Sequence, residues 1–114
     1  NLRPEFVHSI IFQESRYDPR AVSKSNAKGL MQLLPKTWDE VTKKLCIENP
    51  DPFNPEQNIR CGCYYLDWIR KNTNMEWVMA CGYNQGAGHY KRGTMPADGL
   101  KYANEVTKRI YVDK

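Results

Sequence analysis

Phe6-Val7-His8-Ser9-Ile10-Ile11-Phe12-Gln13-Glu14-Ser15-Arg16-Tyr17-Asp18-Pro19 is the stretch on which the fold turns. Phe6, Val7, Ile10 and Ile11 recur at helical spacing behind Pro4, a residue suited to a first helical turn. A short helix with one apolar stripe needs a partner surface, so Phe6, Ile10 and Ile11 belong in a core. Pro19 disfavours helical geometry at Asp18 and is expected to stop the helix. The helix therefore ends on a carboxyl, because Glu14 lies four residues beyond Ile10 and continues its face. The negative end of the helix dipole disfavours a carboxylate there, and partial burial acts in the same direction. Both push the group toward its protonated form, which is what a general acid needs near neutral pH. The plainer alternative is a helix-end Glu paired with Arg16.

Outward from this helix the pattern stays helical. Residues 20–34 are the exception, punctuated by Ser23, Ser25, Asn26 and Gly29. A second helix is predicted from about Lys36 to Leu45, with Trp38, Val41 and Leu45 on one face. Asn49-Pro50-Asp51-Pro52-Phe53 reads as a loop, and Asn54-Pro55 as the cap and first turn of a third helix. The stripe of that helix is Ile59, Cys63, Leu66 and Ile69, with Tyr65 and Trp68 alongside. Asn74 is placed to cap a fourth helix with Trp77, Val78 and Cys81 inward, ending near Gly86-Ala87-Gly88. After a loop at Met95-Pro96-Ala97-Asp98-Gly99, a last helix carries Tyr102, Val106 and Ile110. Trp38, Trp68 and Trp77 are expected in the core. The fold class is mostly α with little or no β-structure, and residues 1–114 read as a single domain without repeats.

The composition is compatible with this. Of 114 residues 40% are apolar, enough for one core. No apolar run approaches the ~20 residues that span a bilayer. The chain opens at Asn1-Leu2-Arg3-Pro4 without a leader pattern, which leaves room for a signal, an anchor or a neighbouring domain. Its formal charge of +4 favours anionic partners such as nucleic acid, membrane surfaces or acidic wall polymers, the plainer reading being a solvated surface. Nucleic acid is not expected, since no aromatic–basic RNA-binding motif or zinc-finger spacing is present. The four cysteines, Cys46, Cys61, Cys63 and Cys81, form no CxxC pair. On a helix Cys61 and Cys63 point about 200° apart and cannot chelate together. No metal set is expected; the cysteines are read as buried free thiols, although three disulfide pairings remain open.

Glu14-Ser15-Arg16-Tyr17-Asp18-Pro19, Ala21-Val22-Ser23 and Ala27-Lys28-Gly29-Leu30-Met31-Gln32-Leu33 resemble the soluble lytic transglycosylase family of the lysozyme-like superfamily. Later segments match in the same order. Phe53-Asn54-Pro55-Glu56-Gln57-Asn58-Ile59 precedes Gly62-Cys63-Tyr64-Tyr65-Leu66, similar to the family's "G..YL" helix. Tyr83-Asn84-Gln85-Gly86-Ala87-Gly88 resembles its "YNAGxG" motif, and Tyr102 falls at the Tyr of its final helix. Asn26 departs from the family's Gly but tolerates a left-handed backbone. Leu34 replaces a common Met, and Cys61, Cys63 and Cys81-Gly82 stand where small residues are usual.

The resemblance implies a two-lobed, goose-type-lysozyme-like helical domain that cleaves peptidoglycan outside the cytoplasm, in a bacterial envelope or a phage. Glu14 would be its sole catalytic acid/base. Ser23 would contact the muramic acid, Gln32 would hydrogen-bond the sugar and Met31 would shape the groove. Tyr83 would position Glu14 and substrate, Asn84 would brace that turn, and Tyr102 would approach the same centre. No second carboxyl is assigned to catalysis, and Asp18, Asp39, Glu40 and Asp51 read as loop or surface groups. One carboxyl suffices where the substrate supplies the nucleophile, giving a 1,6-anhydromuramic end without cofactor or metal. A muramidase that adds water is the nearest alternative, and a non-catalytic glycan-binding module a more distant one. A monomer is expected, within a larger chain or a secretion or phage assembly.

If the Glu14 carboxyl resists ionisation in the folded chain, it costs stability at any pH above its unfolded-state value. Activity should then fall as pH rises through the folded-state value. Glu14→Gln should be neutral or stabilising in thermal denaturation at pH 7. Clear destabilisation would favour the ion pair with Arg16.

Overall fold

The computed structural model describes residues 2–70, 76–85 and 97–112. Five helices are present among them: α1 (Pro4–Ser15), α2 (Pro35–Lys44), α3 (Pro55–Arg70), α4 (Glu76–Gln85) and α5 (Ala97–Val112). No strand occurs among the described residues, although Val22 with Lys28 and Lys28 with Leu33 form isolated antiparallel bridges. The chain divides into two compact units, residues 1–13 with 66–114 and residues 14–65, so that α1 and α3 each contribute to both.

In the first unit Phe6, Ile10 and Ile11 of α1 are buried as their spacing predicts, as are Leu66 and Ile69 of α3. Helices α4 and α5 pack against each other. They contribute Met79, Ala80 and Tyr83, and Tyr102, Ala103, Val106 and Ile110, to buried positions. Each fully buried Phe, Leu or Ile side chain contributes roughly 1.5–3 kcal/mol. Ser9 Oγ is buried and donates to the Val106 carbonyl at 2.7 Å, satisfying a hydroxyl that would otherwise be costly to enclose. Arg3 presents a two-pronged contact to Glu76, with Nε donating to Oε2 at 2.8 Å. Because Arg3 stays substantially exposed, that pair stabilises by at most about 1 kcal/mol.

In the second unit the non-helical stretch from Arg16 to Leu34 is folded by local hydrogen bonds. The Gly29 amide donates to the Ala21 carbonyl at 2.9 Å, and Lys28 and Leu33 exchange amide-to-carbonyl bonds at 3.1 and 3.3 Å. Asn54 caps α3, its Oδ1 accepting from the Gln57 amide at 3.0 Å. Helix α2 begins on Pro35 and has no side-chain cap.

The wholly buried Asn58 joins these parts. Its Oδ1 accepts from the Met31 amide at 2.7 Å, and its Nδ2 donates to the carbonyls of Lys28 at 3.0 Å and Pro52 at 2.9 Å. Gly29 has φ +84°, and a Cβ there would lie 2.2 Å from Asn58 Nδ2 and 2.3 Å from the Pro52 oxygen. Both the left-handed backbone and the space require glycine. Gly62 plays the matching part on α3, because a Cβ there would meet Met31 Sδ at 2.3 Å.

Several expectations need correction. Helix α1 ends at Ser15, where the apolar stripe running to Glu14-Ser15 puts its end, but Pro19 is not what ends it. Arg16 and Tyr17 take left-handed conformations with φ of 51° and 65°, so the backbone reverses before the proline can act. The inward side of α3 is Asn58, Cys61, Leu66 and Ile69, whereas Ile59 and Cys63 are half-buried. Asn58, turned inward to meet three backbone groups, takes the place expected of Ile59, while Leu66 and Ile69 keep theirs. Trp68 is 40% exposed and is no core residue, whereas Trp38 is one. On α2 Thr42 is buried and Leu45, beyond the helix end, only half-buried. Cys46 is exposed, so it is not one of the buried thiols; Cys61 is buried and Cys63 intermediate. Burial pushes both of those thiols up, with Arg60 opposing the effect at Cys61. Helix α5 begins at Ala97, inside the expected loop. The proposed cap Asn74, the Gly86-Ala87-Gly88 end of α4 and the side chains of Trp77, Val78 and Cys81 lie outside the described residues.

Asn58→Ala removes three hydrogen bonds from a wholly buried amide, each of net worth about 1 kcal/mol. Allowing for partial relaxation, it should lower unfolding free energy by about 3 kcal/mol in chemical denaturation.

Candidate active site

Glu14 sits in the last turn of α1, half-buried, where the helix gives way to the Arg16–Tyr17 reversal. Its neighbour Ser15 donates from Oγ to the Leu30 carbonyl at 2.8 Å, tying the helix end to the 20–34 segment. The Asp18 amide donates to the Ser15 carbonyl at 3.0 Å and closes the turn.

The 20–34 segment carries three of the predicted site residues. Ser23 is exposed, and its Oγ accepts from the amides of Ser25 at 3.2 Å and Ala27 at 3.0 Å. It therefore organises its own turn, with the hydroxyl hydrogen left to donate outward. Asn26 has φ 69°, the left-handed state anticipated for a Gly-like position. Gln32 also has positive φ, at 52°, and Nε2 donates to the carbonyls of Ala21 at 3.0 Å and Gly29 at 2.9 Å. Both amide hydrogens are thus spent on the backbone, and no described residue donates to Oε1. Gln32 can offer only an acceptor to a ligand. Met31 is 0% exposed, so any influence on a ligand runs through the placement of Gln32 beside it. Met31 is held by Asn58, Gln32 by the Ala21 and Gly29 carbonyls, and Ser15, next to Glu14, by Leu30 of the same segment.

Tyr83 and Asn84 lie on α4 and Tyr102 on α5, all in the other unit. The two tyrosines are buried and Asn84 is exposed. In the unit that holds Glu14, burial pushes the Tyr65 phenol up, and Glu40 adds to the effect. Among the described residues no group of three His, Cys, Asp or Glu side chains is placed to hold a metal ion. Asn58 was not anticipated as part of the site. Its signal was its place three residues before Cys61 and four before Gly62, the small residues that let α3 come close.

The family model for the transglycosylase SLT domain matches residues 1–105. The chain belongs to this family. It is 36% identical over 96% of its length to a putative soluble lytic murein transglycosylase of Haemophilus influenzae, covering 19% of that protein. It is 39% identical over 72% of its length to a membrane-bound lytic murein transglycosylase C of Mannheimia succiniciproducens, covering 27% of it. Among solved structures, the lytic transglycosylase Slt of Pseudomonas aeruginosa, an inactive glutamate-to-glutamine mutant, superposes with a TM-score of 0.85 at 25% identity. That match covers 97% of this chain and 21% of the other. The lysozyme-like, mostly helical class is therefore that of this SLT domain, which spans about a fifth to a quarter of the length of these relatives. No described helix is long and apolar enough to cross a membrane.

Gln32→Glu sets a carboxylate against the Ala21 and Gly29 carbonyl oxygens in place of two donors. It should cost at least about 2 kcal/mol by chemical denaturation at pH 7, and less at a pH low enough to protonate the new group.

Proposed function

We propose that this SLT domain is a peptidoglycan lytic transglycosylase with Glu14 as its single acid/base. The observation that carries the reading is the 36% identity, over nearly the whole chain, to a protein named as a lytic murein transglycosylase. The half-buried position of Glu14 at the dipole-disfavoured end of an apolar helix supports its role. An inactive glutamate-to-glutamine mutant of the Pseudomonas protein is in keeping with chemistry that rests on one carboxyl.

In this mechanism Glu14 begins protonated. It gives its proton to the oxygen of the β-1,4 bond between N-acetylmuramic acid and N-acetylglucosamine as the bond from that oxygen to C1 breaks. The substrate's N-acetyl group stabilises positive charge at C1. Glu14, now ionised, takes the proton of the C6 hydroxyl, and O6 closes onto C1. The products are a free 4-hydroxyl and a 1,6-anhydromuramic end; no water is consumed and Glu14 is protonated again. Ser23, Gln32, Tyr83, Asn84 and Tyr102 are the proposed substrate-binding residues, with Met31 acting through Gln32. Because Gln32 offers an acceptor, its partner on the sugar is an N–H or O–H group. The positive charge suits an acidic wall polymer. The site of action is the cell envelope outside the cytoplasm, and the domain works as a single copy.

Mass spectrometry of fragments released from purified peptidoglycan tests the reaction. Anhydromuramic ends are expected; reducing ends would overturn the transglycosylase reading in favour of a hydrolase. Glu14→Gln should lower the rate by 10² to 10⁴-fold or so, and near-native turbidity clearance by that variant would refute the role of Glu14.

A further inference from the structure

Helices α1 and α5 meet along a seam whose contacts advance together in residue number. Ser9 Oγ donates to the Val106 carbonyl. One turn further on, the Arg109 guanidinium lies over the Phe12 ring, 4.1 Å from its carbon to the ring centroid. The same side chain donates from Nη2 to Gln13 Oε1 at 3.4 Å. The last residue gripped is Gln13, and the next residue of the helix is Glu14.

Arg109 is an expensive choice for this place. Its Nη1 is buried and has no hydrogen-bond partner among the described residues. A buried donor left without an acceptor is destabilising, more so when charged. For stability alone an apolar side chain of similar length would serve as well or better. What such a side chain would not do is hold the turn from two directions. The guanidinium plane restrains the Phe12 ring, and its Nη2 restrains the Gln13 side chain.

We propose that Arg109 is a positioning residue for the reaction, fixing the last turn of α1 so that the carboxyl of Glu14 is presented at a defined point and angle. The proposal rests on Glu14 being the acid/base. A proton donor must come within hydrogen-bond reach of the bond it cleaves, and a misplacement of about 1 Å can cost on the order of a hundredfold in rate. Loss of the grip therefore acts on turnover and leaves glycan binding and stability largely alone.

The test compares wild type, Arg109→Met, Arg109→Lys and Gln13→Leu on soluble, uncrosslinked peptidoglycan glycan strands, with thermal denaturation of each. For Arg109→Met, kcat should fall roughly ten- to a hundredfold, with KM within about twofold and Tm unchanged or higher. Arg109→Lys keeps the charge without the plane or fork and should stay impaired. Gln13→Leu leaves Arg109 in place and removes one contact, so its kcat should fall a few-fold. Unchanged kcat in Arg109→Met, or a lower Tm with full turnover per folded molecule, overturns the positioning role. If Arg109→Met does not fold, Gln13→Leu decides, and an unchanged kcat there overturns it. A wild type that releases no glycan fragments overturns the functional reading and this proposal with it; a wild type that cleaves separates the two.

Discussion

The amide of Asn58 is held inside the second unit by three hydrogen bonds, and each partner is a backbone group that no helix satisfies. A buried backbone donor or acceptor must be paired, and residues 20–34 have only isolated bridges and local turns in which to pair. Asn58 supplies what regular structure would have supplied. It couples the Met31 amide, the Lys28 carbonyl and the Pro52 carbonyl to one rigid helix. Its reach works only because Gly29 and Gly62 leave room, the first for the amide itself and the second for Met31. An irregular segment thereby gains a fixed shape without a core of its own.

That fixed shape gives the segment its chemical polarity. The Nε2 of Gln32 is committed to two carbonyls and the Oγ of Ser23 to two amides. The groups left to face a ligand are therefore an amide oxygen and a hydroxyl hydrogen, one acceptor and one donor. Such a surface suits a sugar, whose hydroxyl and acetamido groups offer both kinds of partner. The left-handed backbone at Arg16, Tyr17, Asn26 and Gln32 is the strain accepted for it. In the proposed mechanism Glu14 needs little beyond its place at a helix end, because the substrate supplies the nucleophile.

Much of the helical frame was legible in the sequence. The Phe6–Ile11 stripe, the Asn54 cap with Pro55, and the Tyr102–Val106–Ile110 face all follow from spacing and end signals, and all appear in the structure. What escaped was decided by tertiary partners. Asn58 carries no local sign of burial, because the three backbone groups that need it lie outside its own helix. With Asn58 inward, Ile59 and Cys63 are half-buried rather than in the core, while Leu66 and Ile69 stay where apolar counting puts them. Trp68 was assigned to the core on size alone, yet a large aromatic at the edge of a stripe can stay 40% exposed. The end of α1 was ascribed to Pro19 although two left-handed residues reverse the chain first. Met31 carries a family resemblance to a groove position, while packing gives it a wholly buried side chain. Arg109 has no signature at all in the sequence, because its significance lies in what it touches on another helix.

Amide hydrogen exchange at Met31 tests most directly whether Asn58 holds this segment together. Met31 belongs to no helix, and local fluctuation would expose an amide in an ordinary loop. With its N–H buried and bonded to Asn58 Oδ1, it should exchange as slowly as the amides of Cys61 and Gly62 inside α3. Exchange as fast as that of the exposed Lys24 amide would contradict the account.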